Sequence, residues 1–150
     1  MRLVIQRVKE ASVSIDGQLF SSIGQGLLVL VGVECGDTED DVRRMAAKTV
    51  ALRIFDDEAG VMNLSVAAIK GEILAVSQFT LLASTIRGNR PSYIRAAGHE
   101  LAVPLYELYC TLVSEALGRK VSTGSFGADM QVALTNDGPV TILMDSREKK

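Results

Sequence analysis

The sequence has little of what metal sites and disulfide scaffolds require. Its 150 residues include two cysteines and one histidine. Cys35 and Cys110 stand apart, with no CxxC spacing or Cys/His cluster near either. Because His99 is the only imidazole, thiolate and imidazole ligands are too few for a zinc site, and no metal is expected. Two scattered cysteines also argue against a disulfide scaffold and predict buried, reduced thiols.

Long apolar runs are also missing. The longest, residues 26–33, is far too short to span a bilayer. Charges at Arg2, Arg7, Lys9 and Glu10 interrupt the amino terminus, so it lacks the apolar region of a signal peptide. We therefore predict a cytoplasmic protein that makes no membrane contact.

The composition fits one compact domain. Hydrophobic residues make up 47% of the chain, and 16 Lys and Arg nearly balance 18 Asp and Glu. A chain of this length buries roughly two-thirds of the surface that its unfolded form exposes, which is enough for a core without disulfides. No repeat or Pro/Gly/Ser-rich linker divides the sequence. We predict one domain over residues 1–145 and a short, charged, disordered tail over residues 146–150.

Most of the secondary-structure signals are those of strands. Alternating or continuous apolar patterns predict strands at 3–8, 11–15, 26–33, 71–78, 130–136 and 139–144. The run at 26–33 is apolar throughout, which is typical of a strand buried on both faces. The second strand ends at the turn pair Asp16-Gly17.

Two helices are predicted to cover the sheet. Thr38 followed by Asp41 has the spacing of a capping box, and an apolar stripe follows at Val42, Met45, Ala46 and Val50. The second helix is predicted over 103–117, with Pro104 in its first turn and Gly118 at its C-cap. Together these patterns predict a mixed α/β domain with a curled or barrel-like sheet of about six or seven strands and two long helices packed on it.

Two polar clusters follow apolar strands, a common location for functional sites. The first is SQFT at 77–80, and the second is NDGP at 136–139, between the last two predicted strands. The Gly-Pro pair is unusual in a hairpin because proline removes a donor from the strand ladder. From the residues alone, the second cluster is either a plain turn or part of a site.

The usual nucleophilic machinery finds no support. His99 lies in a polar segment where solvent exposure or helix capping is expected, and Cys110 falls in an apolar helical pattern typical of a core. No GxxxxGK[ST] loop is present, so no nucleotide cofactor is expected. Thr80 has no evident base, and it is interpreted as a hydrogen-bonding or orienting group.

The two clusters together resemble the D-aminoacyl-tRNA deacylase family. SQFTL at 77–81 and NDGPVT at 136–141 carry the resemblance. Framing segments occur in the family's order at 5–8, 11–13, 26–30, 62–64, 90–92 and 128–132. The resemblance thus covers nearly the whole chain.

The resemblance implies hydrolysis of the ester that joins a D-amino acid, or glycine, to the 3′ end of a tRNA. It also implies a homodimer in which a cis Gly138-Pro139 peptide reaches into the partner's pocket. Its carbonyls would crowd the place of an L side chain, so selection works by excluding the wrong substrate. Gly138, Pro139 and Met130 are therefore expected to bind substrate and select its chirality.

The resemblance assigns catalysis to Ser77, Gln78, Phe79 and Thr80. Ser77 and Gln78 would lie near the α-amino end, and the backbone N–H groups around Phe79 and Thr80 would form an oxyanion hole. In the family the terminal 2′-hydroxyl of the RNA helps to activate water, so no side-chain base is needed. Phe79 is a candidate to stack on the terminal adenine, with an ordinary core position as the alternative.

The chain departs from the family pattern at two positions. Ser84 stands where the family usually has Asp, which predicts a less rigid loop, and Tyr93 replaces Phe. Because a pI of about 5.4 gives no general attraction for phosphate, RNA contact is expected from Arg87, Arg90 and Arg95.

Two other functions stay open. One is a small-molecule esterase that uses Thr80 or Ser77 as a covalent nucleophile. The other is a non-catalytic module that binds aminoacyl-tRNA without turnover.

Overall fold

A six-stranded sheet curls into a nearly closed barrel in the computed structural model, which describes residues 1–148. In chain order the elements are β1 (Arg2–Ile15), β2 (Gln18–Ile23), β3 (Gly26–Gly32), α1 (Glu39–Ala51), β4 (Phe55–Asp56), β5 (Met62–Leu64), β6 (Glu72–Ser77), α2 (His99–Leu117), β7 (Ser122–Thr123) and β8 (Gln131–Asp145). Strands β4 and β5 form a separate small sheet. The predicted fold class, a single mixed α/β domain, is confirmed.

Strand β1 lies at the centre of this topology. Residues 2–8 of β1 pair antiparallel with β3, and residues 11–15 pair antiparallel with β2. Strand β8 pairs antiparallel with β1 along nearly its whole length. Ile5, for example, lies opposite Val29 of β3 and Ile142 of β8. Strand β3 then pairs parallel with β6, which pairs parallel with the short β7.

The core lies on both faces of β3. Leu27 and Val29 pack into the larger cluster that includes the helices, whereas Leu28 packs into a smaller cluster with residues such as Val8 and Leu74. The continuous apolar run therefore forms a strand buried on both faces, as predicted.

Helix α1 begins as its sequence predicts. The Asp41 amide donates to Thr38 Oγ1 (3.4 Å), and the Thr38 amide donates to the Asp41 carboxylate (2.9 Å), which completes a capping box. Its predicted apolar stripe is buried, together with Thr49.

Helix α2 begins at His99, four residues earlier than predicted, so Pro104 lies in its second turn. Proline is tolerated there because the carbonyl that loses a partner belongs to Glu100, in the exposed first turn. Gly118 caps the helix in the left-handed conformation (φ 79°), as predicted.

The prediction of two separate final strands, at 130–136 and 139–144, is wrong. Residues 131–145 form one strand, β8, because its pairing with β1 continues on both sides of the NDGP cluster without a reversal of the chain. The strands predicted at 3–8 and 11–15 are likewise one strand, β1.

The predicted disordered tail is also wrong for the part that the structure describes. Ser146 is buried, and its Oγ accepts a hydrogen bond from the Met1 amino group (2.8 Å). Arg147 donates to Glu34 Oε1 (3.1 Å), so contacts distant in sequence order Ser146 and Arg147. Lys149 and Lys150 lie outside the described residues.

The two cysteines differ in burial. Cys35 is exposed, contrary to the prediction, because it follows β3 at the surface, where its Sγ lies 3.4 Å from Ala96 O. Cys110 packs against the core as predicted, and burial raises the pKa of its thiol to about 11. None of the helices within residues 1–148 is both long and apolar enough to cross a membrane.

Thr38→Ala is expected to lower the free energy of unfolding by about 1 kcal/mol, because it removes the side chain that caps α1. Urea unfolding measures the change. The control is Thr111→Ala at an exposed position of α2, which should change stability by less than about 0.5 kcal/mol. Equal effects of the two substitutions would contradict the capping role.

Candidate functional site

The end of β6 places the SQFT cluster at an opening beside the sheet. The strand is buried from Ile73 to Val76 and becomes half-buried at Ser77. The backbone N–H of Gln78 still donates to Val31 O (2.8 Å), which extends the pairing with β3 by one residue. The chain then enters a one-turn 3-10 helix, Phe79–Leu82.

A cavity of about 580 Å³ lies at this strand end. Its lining comprises residues 76–79 and 126–130 with Val31, Val33, Ala97, His99, Ala102, Tyr106 and Val132. The cavity therefore brings together four of the predicted site residues, namely Ser77, Gln78, Phe79 and Met130. Thr80 lies just beyond the lining, and Gly138 and Pro139 lie elsewhere on the same chain.

Thr80 is engaged by an amide. Gln78 Nε2 donates to Thr80 Oγ1, and no imidazole or carboxylate within residues 1–148 contacts that hydroxyl. Because a threonine hydroxyl needs a base to become a nucleophile, this arrangement favours an orienting role.

Two backbone N–H groups are free at the same turn. Within residues 1–148, the amides of Phe79 and Thr80 have no hydrogen-bond acceptor, since they begin a short helix and no side chain caps it. Adjacent free N–H groups beside a cavity can donate to an oxygen that develops negative charge.

The Phe79 ring is not part of the core. It is 57% exposed and meets Tyr93 edge-on, with the ring centroids 5.1 Å apart. The alternative of an ordinary core position is therefore wrong. In the following loop, Ser84 and Ser92 exchange two backbone hydrogen bonds of 2.8 Å, so the backbone itself orders the position where the family usually has Asp.

A second wall of the cavity is aromatic. The Phe126 ring meets His99 edge-on at 5.4 Å and lies 5.8 Å from Tyr106. The Tyr106 hydroxyl donates to Ala75 O of β6 (2.8 Å), and burial raises the pKa of this phenol. The wall is thereby fixed to the strand that carries Ser77.

The Gly138-Pro139 peptide lies in a bulge of β8. Gln6 pairs with Thr141 and Val8 pairs with Asn136, so four residues, 137–140, lie opposite Arg7 alone. The peptide bond is cis and Gly138 has φ 132°, a conformation that L side chains rarely adopt. Both residues are exposed.

Arg7 and Asn136 hold this bulge. Arg7 is 8% exposed and donates from Nε to Asp137 O (3.0 Å) and from Nη1 to Ile54 O (2.8 Å). Asn136 Nδ2 donates to Arg7 O (2.9 Å) and to Val140 O (3.0 Å), which closes the base of the bulge.

The sequence analysis missed this role of Arg7. A signal was available, because Arg7 falls on the same face of β1 as the apolar residues Leu3 and Ile5. A charge on a buried face requires partners nearby.

For metals, no group of three His, Cys, Asp or Glu side chains comes together within residues 1–148.

Comparison with known proteins identifies the class of this fold and site. The family model described as D-Tyr-tRNA(Tyr) deacylase matches residues 4–145. A D-aminoacyl-tRNA deacylase of Porphyromonas gingivalis is 62% identical over 150 residues, which is 100% of both chains. The chain belongs to the D-Tyr-tRNA(Tyr) deacylase family.

Two solved structures share the fold. A structure named "c-Myc DNA Unwinding Element Binding Protein" is 39% identical, with a TM-score of 0.93 over 99% of this chain and 100% of that one. A "probable eukaryotic D-amino acid tRNA deacylase" is 16% identical, with a TM-score of 0.82 over 95% and 97% of the two chains. The latter likeness bears on the fold alone.

Arg7→Gln is expected to lower the free energy of unfolding by at least about 2 kcal/mol, because the shorter amide cannot serve both the Ile54 and Asp137 carbonyls. Urea unfolding provides the measurement. The control is Arg43→Gln, which removes an exposed ion pair to Glu39 and should cost less than about 0.5 kcal/mol. A loss no greater than that of the control would contradict the role of Arg7 in holding the bulge.

Proposed function

We propose that the cavity beside β6 hydrolyses the ester of D-aminoacyl-tRNA, and that Gly138-Pro139 of a second copy excludes L-aminoacyl-tRNA from it. Family membership and the names of the relatives make the chain a D-aminoacyl-tRNA deacylase, a hydrolase that acts on aminoacyl-tRNA. The geometry of the cavity supports an assignment of roles to its residues.

The observation that carries the proposal is the pair of free amides at Phe79 and Thr80. In the proposed mechanism they donate to the ester oxygen as it gains charge in the transition state, a role supported by their lack of another acceptor within residues 1–148. The 2′-hydroxyl next to the ester assists the attacking water, so catalysis requires no side-chain base. This fits the position of the Thr80 hydroxyl just beyond the cavity lining, where within residues 1–148 it accepts only from the Gln78 side-chain amide. Ser77 and Gln78 lie beside the α-amino end of the substrate, and no metal or cofactor takes part.

Chiral selection requires a second copy of the chain. Gly138 and Pro139 are exposed and lie outside the cavity of their own chain, so their carbonyls act on the cavity of a partner. Within the part of the chain that the structure describes, β8 pairs only with β1, so its other edge has no partner strand. Leu143 of β8 is 73% exposed, and a free edge with an exposed apolar residue suits an interface. In the partner's cavity, Met130 lines the space in which the carbonyls exclude an L side chain.

The same mechanism extends to glycine. Selection by a clash with the L side chain does not exclude a substrate that has no side chain, so glycyl-tRNA is also hydrolysed. The enzyme acts in the cytoplasm, where aminoacyl-tRNA is made and used.

Two arginines of the loop that follows the SQFT cluster contact the RNA. Arg87 and Arg90 are exposed and make no ion pair within residues 1–148, and Phe79 and Tyr93 lie in the same region. Arg95, by contrast, is held by Glu34 (2.5 Å), so it contributes less free charge than its sequence position suggests. Few phosphate contacts give weak, quickly reversed binding to many tRNAs.

The direct test compares D-tyrosyl-tRNA and L-tyrosyl-tRNA with wild-type protein and with Gly138→Ala. Wild type should release only the D-amino acid. In the variant, a Cβ would lie 2.8 Å from Val140 Cγ2 and 3.1 Å from Arg7 Nη2, so the bulge must shift. We expect kcat/KM for the D substrate to fall about a hundredfold.

The matched control is Gly60→Ala, which also has positive φ (75°) but meets nothing within 4 Å. It should hydrolyse the D substrate within about twofold of wild type, since exposed turns away from a site tolerate substitution. Equal hydrolysis of both enantiomers by wild type would reject the chiral filter, and binding without hydrolysis would favour a non-catalytic module.

Thr80→Ala separates the proposed mechanism from a covalent esterase that uses Thr80 as its nucleophile. Because the variant keeps its backbone N–H, kcat should fall less than about tenfold, with no burst of acyl-enzyme in rapid-quench kinetics. Loss of a true nucleophile costs on the order of a millionfold in kcat. A loss of that size would establish Thr80 as the nucleophile.

A further inference from the structure

We propose that His99 binds the phosphate on the 5′ side of the terminal nucleotide of the substrate. This inference rests on the proposed function, because it assumes that the 3′ end of an aminoacyl-tRNA occupies the cavity. It gives a role to the one imidazole of the chain, which the catalytic assignment leaves unused.

His99 lies in the same cavity as Ser77 and Gln78 but comes from a different element. It is the first residue of α2 and is exposed, so its ring lies where the cavity meets solvent. The terminal nucleotide must enter from solvent, with the ester toward the amides at Phe79 and Thr80. Its 5′ side, where the rest of the RNA continues, is then directed back toward solvent.

A series of contacts fixes the imidazole relative to the catalytic strand. His99 meets Phe126 edge-on (5.4 Å, 85°), and Phe126 packs against Tyr106 (5.8 Å). Tyr106 is hydrogen-bonded to Ala75 O, two residues before Ser77. The ring therefore has a set position, which a binding residue needs and a freely rotating surface histidine lacks.

The choice of phosphate follows from the donors that line the cavity. The Tyr106 hydroxyl already donates to Ala75 O, and the side-chain amide of Gln78 already donates to Thr80 Oγ1. The imidazole of His99 has no hydrogen-bond partner within residues 1–148, so its N–H group is free to donate to an anion. Asp129, the only carboxylate of the lining, accepts hydrogen bonds and cannot hold an anion. The anionic group of this part of an RNA is its phosphate.

The test uses two non-hydrolysable amide analogues of the aminoacyl end. Both are 3′-deoxy-3′-(D-alanylamino)adenosine, one with a free 5′-hydroxyl and one with a 5′-phosphate. Titration calorimetry measures the Kd of each for wild type, His99→Phe and His99→Gln. The Phe variant keeps a ring against Phe126 without a donor, whereas the Gln variant keeps an N–H donor.

Wild type should bind the 5′-phosphate analogue about tenfold more tightly than the 5′-hydroxyl analogue, as expected for a hydrogen bond to a charged group. His99→Phe should lose this gain, and His99→Gln should keep most of it. The kcat/KM of His99→Phe for D-tyrosyl-tRNA should fall by the same factor. Glu115→Gln, at an exposed position of α2 outside the cavity lining, is the control and should bind both analogues as wild type does.

Three results would overturn the inference: no gain from the phosphate in wild type, a gain kept by His99→Phe, or an equal loss for both analogues in that variant. The last would mean that His99 only packs against Phe126. Failure of wild type to bind either analogue would instead reject the cavity as the aminoacyl site, and the proposed function with it.

Discussion

The antiparallel pairing of β1 with β8, broken opposite Arg7, is the constraint on which the rest of the structure depends. Four residues of β8 face one residue of β1, so the strand must project them out of the sheet. The Arg7 side chain occupies the space beneath. Its burial is possible because two carbonyls accept from it and the carboxylates of Asp56 and Asp137 lie 3.7 Å away. Sheet pairing and side-chain chemistry together thus present Gly138 and Pro139 at the surface.

The cavity has a similar origin, in a neighbouring strand that ends early. Strand β7 pairs with β6 at Leu74 and Ala75 only, whereas β3 follows β6 as far as Ser77. The last residues of β6 therefore have a partner on one edge and open space on the other. Residues 126–130 and the start of α2 surround that space without filling it. The site is a consequence of unequal strand lengths, with polar residues placed where pairing stops.

Local chemistry explains which features the sequence could predict. The Thr38 and Asp41 spacing requires only neighbouring residues, and a continuous apolar run such as 26–33 can be satisfied only by burial on both faces. The NDGP cluster is different, because the same residues suit a tight turn or a strand bulge. The register with β1, set far away in the chain, decides between them. The order of Ser146 and Arg147 likewise depends on Met1 and Glu34, which no local pattern connects to them.

The separation of the cavity from the Gly-Pro bulge within one chain has a consequence for selectivity under the proposed function. A lone chain would present the amides at Phe79 and Thr80 with nothing to exclude an L substrate, and would act on the normal aminoacyl-tRNA of the cell. In the proposed assembly the excluding carbonyls come from a second copy, so a complete cavity and its filter form in the same step. The hydrogen bonds by which Arg7 and Asn136 hold the bulge then matter beyond stability, since a shift of Gly138 in one copy would alter the substrate range of the other. Under the proposed function, rigidity at Arg7 and Asn136 therefore serves discrimination in the cavity of the partner.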